Sequence, residues 1–336
     1  MGIPGLWKQD DKKLFFFYSL EKPVGQRPPG PIRRYRLPTE LERRGDFSQT
    51  RDQQGRLIYI RDPQRSGTCN ILTGGDGCFP GNVVPNNRID ANGQSLLNIF
   101  PVPDRTDLES TGHNYLRQET ANHPRLNHVV KTDWKPTSNS SFFSTIRLFS
   151  SKQTGSEITA GPPDWGWYDG TYDFSDNSIS GGWNKVIGAR LVNELTGGWG
   201  RRTEGFGVGA ESDWTRLRRS DVGYSLGQFN PQLNPLGLIP RGTFGSLPTT
   251  GGDAVDLNYP DRIGDTAVDY IASIRNTLTW ARDKHTFKFG GYLEYMENRE
   301  SRGGNWSGQF TFDRNAANPL DTNYTYANAL LGVFRE

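Results

Sequence analysis

The chain has 336 residues, with 39 Lys and Arg against 37 Asp and Glu and a formal net charge of +2. No basic patch dominates, which removes nucleic acid as an expected partner. Hydrophobic residues make up only 33% of the chain, with 40 Gly and 21 Pro, and that profile alone would suit disorder. The 9 Trp, 13 Tyr and 18 Phe argue against disorder. Low aliphatic content with many aromatics, Gly, Asn and Thr suits a β-barrel with a polar interior and long polar loops.

Residues Met1 to Trp7 run directly into Lys8, Asp10, Asp11, Lys12 and Lys13, which is not the pattern of a secretory signal peptide. No apolar run approaches the roughly 20 residues of a membrane helix. For a surface protein, the expectation is then an internal piece of a longer chain.

Lys12 to Leu20 reads as an apolar-aromatic strand. A long irregular stretch follows, about 21–124, opened by Pro23, Pro28, Pro29 and Pro31, which exclude regular pairing. Inside it Thr39-Glu40-Leu41-Glu42 fits a capping box, with Gly45 placed to end the short helix. Leu57 to Ile60 is a candidate short strand. Cys69 and Cys78, nine positions apart in a Gly- and Asn-rich loop, are candidates for a loop-closing disulfide and so for an oxidising compartment. Phe79 to Asn82 and Pro85 to Asn87 carry turn chemistry. Ala91 to Phe100 reads as a second helix, stopped by Pro101 and Pro103.

Regular strands are expected at 126–135 and 141–150, joined by a tight turn at Pro136 to Asn139. After a loop at 151–176 come strands at 177–186 and 190–201, joined at Ile187 to Ala189. A second long loop, about 202–267, is punctuated by Pro231, Pro235, Pro240 and Pro248. The clearest hairpin is Val268 to Asn298. Tyr270, Ala272, Ile274, Leu278 and Trp280 share one parity of its first arm, interrupted by Asn276. Phe287, Phe289, Gly291, Leu293 and Tyr295 share one parity of the second. A period of two marks strands, and Ala281 to Lys284 is a short polar joint. Each arm exceeds the usual five or six residues and carries aromatics toward its ends, as spanning strands do. A polar loop at 299–307, a short strand at 308–313 and a helix at 322–333 complete about eight strands. Long and short connections alternate throughout, as in up-and-down membrane barrels, whereas a soluble sandwich with long strands has no reason to keep its long loops at one end. The fold class expected is all-β: part of an antiparallel up-and-down transmembrane β-barrel, with long extracellular loops and short helices in them.

A family resemblance accompanies this pattern. Lys13 to Phe17, Arg44-Gly45-Asp46-Phe47-Ser48-Gln49, Ile60-Arg61-Asp62-Pro63, Phe79-Pro80-Gly81-Asn82, Val84 to Ile89 and Phe100 to Pro103 stand in an order that resembles TonB-dependent outer-membrane transporters of the Oar-like type. Val130, Thr132, Asp133 and Trp134, then His285 to Gly291, then Ala327, Leu330, Leu331 and Gly332 extend the likeness over most of 12–333. The resemblance implies a barrel of about twenty-two strands closed by an internal plug, driven by the TonB energy-coupling complex acting through that plug. No plug, coupling box or aromatic-terminated last strand is found, so residues 1–336 look like the early part of the barrel domain.

On the inward parity Arg147, Arg190, Glu194, Arg275, Lys288 and Glu294 are candidates to line a polar lumen or to pack against a plug. Trp165, Trp167 and Tyr168, in the run from Asp164 to Asp169, are candidates for ligand contact; the alternative is an aromatic loop packing on its neighbours. His113, His123, His128 and His285 form no metal-ligand pattern, and no cofactor or catalytic pair is fixed by spacing. Asn139, Asn305 and Asn323 begin glycosylation sequons, which a bacterial source would leave unused. The function expected is energy-dependent uptake of an extracellular ligand across the bacterial outer membrane, in contact with its lipid and without enzymatic activity. The alternative is a non-transporting surface adhesin or carbohydrate-binding β-protein.

Overall fold

The computed structural model describes residues 13–335, apart from 24–28, 105–111, 121, 160, 162–164, 229, 248–253, 261–262 and 302–305. Met1 to Lys12, Pro28, Asp164, Pro248 and Asn305, on which expectations above fall, lie outside the described residues.

In chain order the elements are β1 (Leu14–Glu21), β2 (Arg33–Tyr35), α1 (Glu40–Arg43), α2 (Ala91–Leu97), β3 (Tyr115–Arg117), β4 (Arg125–Thr137), β5 (Ser140–Gly155), β6 (Gly170–Ile187) and β7 (Leu191–Val208). They continue with α3 (Glu211–Trp214), α4 (Arg219–Val222), β8 (Arg241–Thr243), β9 (Thr266–Arg282), β10 (His285–Glu300), β11 (Gln309–Thr311) and α5 (Thr325–Leu330). Seven strands form one sheet in the order β1-β4-β5-β6-β7-β9-β10, antiparallel between neighbours. The short strand expected at 308–313 is not an eighth member. Its core, β11, pairs in parallel with β8, away from the sheet. A three-residue strand cannot span a membrane, and Phe312, which follows it, is needed in the packed core described below. Leu57 to Ile60 forms no strand of its own; it is held by single bridges and side-chain contacts.

Three connections at one end of the sheet are tight: β4–β5, β6–β7 and β9–β10. Asp283 turns the last of them at φ 54°. The other connections are long and lie at the opposite end. The strands also outrun the expected boundaries. β6 and β7 have 18 residues each, and β6 begins at Gly170, within the stretch read as a loop. Only about 9–11 residues are needed to span hydrocarbon, so the remainder carries the ladder beyond it, where polar side chains such as Asp173 and Glu204 hide the strand signal.

Residues directly opposite on an antiparallel ladder share a face, and side chains alternate along each strand. The registers therefore sort the wall into two faces. One carries Leu14, Phe16, Trp134, Phe142, Ile179, Trp199, Ile274, Phe289 and Leu293. The other carries Lys131, Arg147, Asp176, Glu194, Arg202, Arg275 and Glu294. The apolar face is uncovered: Phe16 is 80% and Leu293 71% exposed. A row of large apolar side chains this long, left open across seven strands, is the surface of a protein solvated by lipid.

The buried core is elsewhere. Leu37, Phe47, Ile60 and Phe100 from the β1–β4 connection, Trp165 from β5–β6, Phe244 from β7–β9 and Leu330 from α5 pack into one cluster at the long-loop end. These segments form a cap. It has little regular structure, so its backbone polar groups are satisfied by buried amides. Asn82 donates to the carbonyls of Phe47 and Ile58 at 2.6 and 2.8 Å and accepts from Ile60 N at 2.8 Å. Asn114 and Leu37 exchange two bonds of 2.8 Å. The capping box at Thr39 and Glu42 is formed, and Gly45 follows the helix at φ 86°.

Candidate functional site: the polar face and the cap above it

Four residues buried at the cap end of the sheet, Ser151, Tyr172, Phe206 and Ala267, all lie on the polar face by register. The cap therefore overhangs the polar side of the wall and leaves the apolar side bare. Backbone bonds fix it there: Phe206 N donates to Asp265 O at 3.0 Å and Gly264 N to Phe206 O at 2.8 Å.

Beneath the overhang the polar face carries an aromatic and arginine collar. Phe149 and Phe174 meet edge to face at 5.7 Å, and Tyr172 packs on Phe206 at 4.9 Å. Arg147 lies over the Phe149 ring at 5.4 Å and Arg202 over Phe174 at 5.1 Å. Arg147 also pairs with Asp176 at 3.0 Å, and Arg202 pairs with Glu204. Lower on the same face stand Glu194, Arg275, Lys288 and Glu294. Five of the six residues expected to line a lumen thus share one face. The sixth, Arg190, sits in the tight β6–β7 turn, where its carbonyl accepts from Ala281 N at 2.8 Å. Sequence reasoning extended β7 one residue too far and so drew Arg190 into the wall. It also missed Asp176, Arg202 and Glu204. Their alternation was the available signal, but each lies in a stretch read wholly or partly as loop.

Trp165, Trp167 and Tyr168 are packed inside the cap rather than presented on its surface, with Trp165 at the back of the cleft described below. They are 1%, 0% and 4% exposed, and Trp165 stacks on Trp167 at 5.5 Å. Their indole N–H groups donate to Asp256 O and Arg216 O at 3.1 and 3.2 Å. Polar neighbours in sequence made the segment look exposed. In the fold it supplies the cap core, and burial pushes the Tyr168 hydroxyl pKa well up.

The cap surface offers a cleft of about 440 Å³ between α2, Gly166 and the α3–α4 region, lined by Asn98, Thr215, Arg216 and Asp221. Arg216 is fixed by donating to Trp167 O at 2.6 Å, so the cleft wall is tied to the core. Cys69 and Cys78 are bonded, with S–S 2.03 Å. Their loop is pinned to the α5 region by Asn323, which donates to Cys69 O at 3.1 Å. Among the described residues no group of three His, Cys, Asp or Glu is placed to hold a metal. No helix among them is long and apolar enough to cross a membrane.

A family model described as an outer membrane beta barrel domain matches residues 11–336. No curated protein matches, and neither does any solved structure.

Proposed function

We propose a ligand-uptake role for this chain, which belongs to the outer membrane β-barrel domain family and resides in the bacterial outer membrane. In such barrels the tight turns face the periplasm and the long connections face the cell exterior, so the cap is the surface that meets ligand. The chain is read as wall and cap of a TonB-dependent receptor of the Oar-like type. Ligand is captured at the cap and passes along the polar face once the barrel is complete and energised through a plug. The observation that carries the reading is the placement of the cap over the polar face, above the Arg147 and Arg202 collar. A binding surface set directly over a polar path suits uptake better than adhesion alone. Two further features agree. The motifs named above occur in family order, and among the described residues the outer edges of β1 and β10 have no strand partner, as in a wall that needs more strands to close in lipid.

The test compares cells with and without the full-length gene, with the proton-motive force intact or collapsed. Saturable accumulation that disappears on collapse supports the reading. Ligand held at the surface with no accumulation in either state replaces it with the adhesin reading.

A further inference from the structure

The apolar face is not uniformly ridged. Successive rows of side chains can be followed across the ladders. One row is Trp134, Phe142, Trp183 and Leu195. The next row toward the cap is Thr132, Ser144, Gly181 and Gly197, and the one beyond is Val130, Ile146, Ile179 and Trp199. Four small residues on four neighbouring strands thus lie between two ridges of large ones. The result is a trough of about 960 Å³, reaching from Lys13 and Leu14 at one end to Ile274 at the other. At a strand spacing of about 4.8 Å its floor runs for roughly 14 Å.

The floor suits hydrocarbon. Gly181 and Gly197 present backbone without a side chain, and the two hydroxyls present satisfy each other, Thr132 Oγ1 to Ser144 Oγ at 2.7 Å. The lower ridge is built rigidly, with Trp134, Phe142 and Trp183 stacked in sequence at 5.2 and 5.9 Å. The indole N–H of Trp183 points to the turn end, donating to Ser140 Oγ at 2.8 Å, as an interfacial tryptophan does.

The mouth suits an anion. Toward the turns on the same face, Lys185 stands two residues beyond Trp183 and Arg282 two beyond Trp280, and Lys13 lines the trough end. Basic residues at this level meet lipid phosphates.

We propose that this trough is a binding site for an anionic phospholipid of the periplasmic leaflet, with one acyl chain along the Ser144–Gly181–Gly197 floor and the headgroup on the basic rim. The proposal rests on membership of the membrane family and is independent of the uptake reading, since a non-transporting barrel would hold the lipid equally.

The experiment uses the full chain folded in detergent micelles carrying either phosphatidylglycerol or phosphatidylcholine of the same chains, with bound lipid counted by native mass spectrometry. One phosphatidylglycerol retained about thirtyfold in preference is expected from two rim cations. Ser144→Phe, which fills the trough, is expected to lose the bound lipid. Lys185→Glu with Arg282→Glu is expected to keep a lipid and lose the preference. Equal retention of both lipids by the unsubstituted protein overturns the site, and that comparison needs no variant to fold. Undiminished phosphatidylglycerol in folded Ser144→Phe overturns it as well.

Discussion

Tyr324 donates its hydroxyl to Glu42 Oε1 at 3.2 Å, across 282 residues of chain. The same oxygen accepts from Thr50 Oγ1 at 2.8 Å and from Arg36 Nη2 at 3.2 Å. All four residues are fully or nearly fully buried. Burial opposes the Arg36 charge, but Tyr324 and Glu42 outweigh it and hold the guanidinium pKa above its ordinary value. This cluster joins the first long connection to the last helix, and thereby closes the cap.

Removing the carboxylate strands a buried cation. Glu42→Ala is expected to destabilise the cap by about 3–5 kcal/mol, while Tyr324→Phe costs only about 1 kcal/mol. Hydrogen exchange of the segments around Leu37 and Leu330 checks the order. Equal effects would mean that Glu42 is not the centre of the cluster.

Alkaline pH attacks the same core. Burial raises the Tyr259 hydroxyl to about 12, and burial likewise raises Tyr224 to about 12. An exposed tyrosine ionises near pH 10. A group with a raised folded pKa contributes stability that is complete below the unfolded value and lost as pH climbs through the folded one. Cap stability is therefore expected to fall between about pH 10 and pH 12. Tyrosinate absorbance should lag behind that of free tyrosine until the cap opens. Full ionisation near pH 10 with the cap intact would contradict the burial of these rings.

Helices α2 and α5 meet at a glycine. A Cβ on Gly93 would lie 1.9 Å from Ala329 O, which is backbone and cannot swing aside. Gly93→Ala is expected to force the helices apart and destabilise the cap by about 1–3 kcal/mol. Urea unfolding checks it, and an unchanged midpoint would show that the two helices do not cross so closely.

Opening the Cys69–Cys78 loop by Cys69→Ser with Cys78→Ser is expected to cost about 2–3 kcal/mol, as the nine-residue separation closes only a short loop. Thermal unfolding with and without reductant should show a matching loss in the unsubstituted protein and no response in the double variant.

The assignment of faces can be tested on adjacent residues. Ile274→Lys places a cation on the lipid side and is expected to cost about 2–4 kcal/mol when folded into vesicles. Ser273→Lys, one residue earlier and on the polar side, is expected to be nearly neutral. A reversed order would exchange the two faces.

Much of the wall was legible because membrane strands write their two environments into alternate residues. Val268 to Asn298 shows this most clearly, since one side of that hairpin faces lipid and the other does not. The legibility ends where the ladder leaves the membrane. In Gly170 to Asp176 and Arg202 to Val208 the aromatics change sides, with Tyr172, Phe174 and Phe206 on the polar face beneath the cap, so the lipid-facing parity no longer marks the strand. The cap was least legible of all. Its core draws on Leu37, Trp165, Phe244 and Tyr324, which lie far apart in the chain and in segments whose Pro, Gly and Asp content reads as exposed loop.

By itself the sequence determined the seven strands of the wall, their two faces, the tight turns and the capping box, because each follows from near-neighbour periodicity or from local hydrogen bonding. Only the tertiary structure decided that the long connections are one folded body, that Trp165 and Trp167 are its core rather than its surface, and that it stands over the polar face. Those facts depend on contacts between residues hundreds of positions apart. No local pattern encodes them, because what selects them is the joint burial of side chains that meet only once the sheet has brought its loops to the same end.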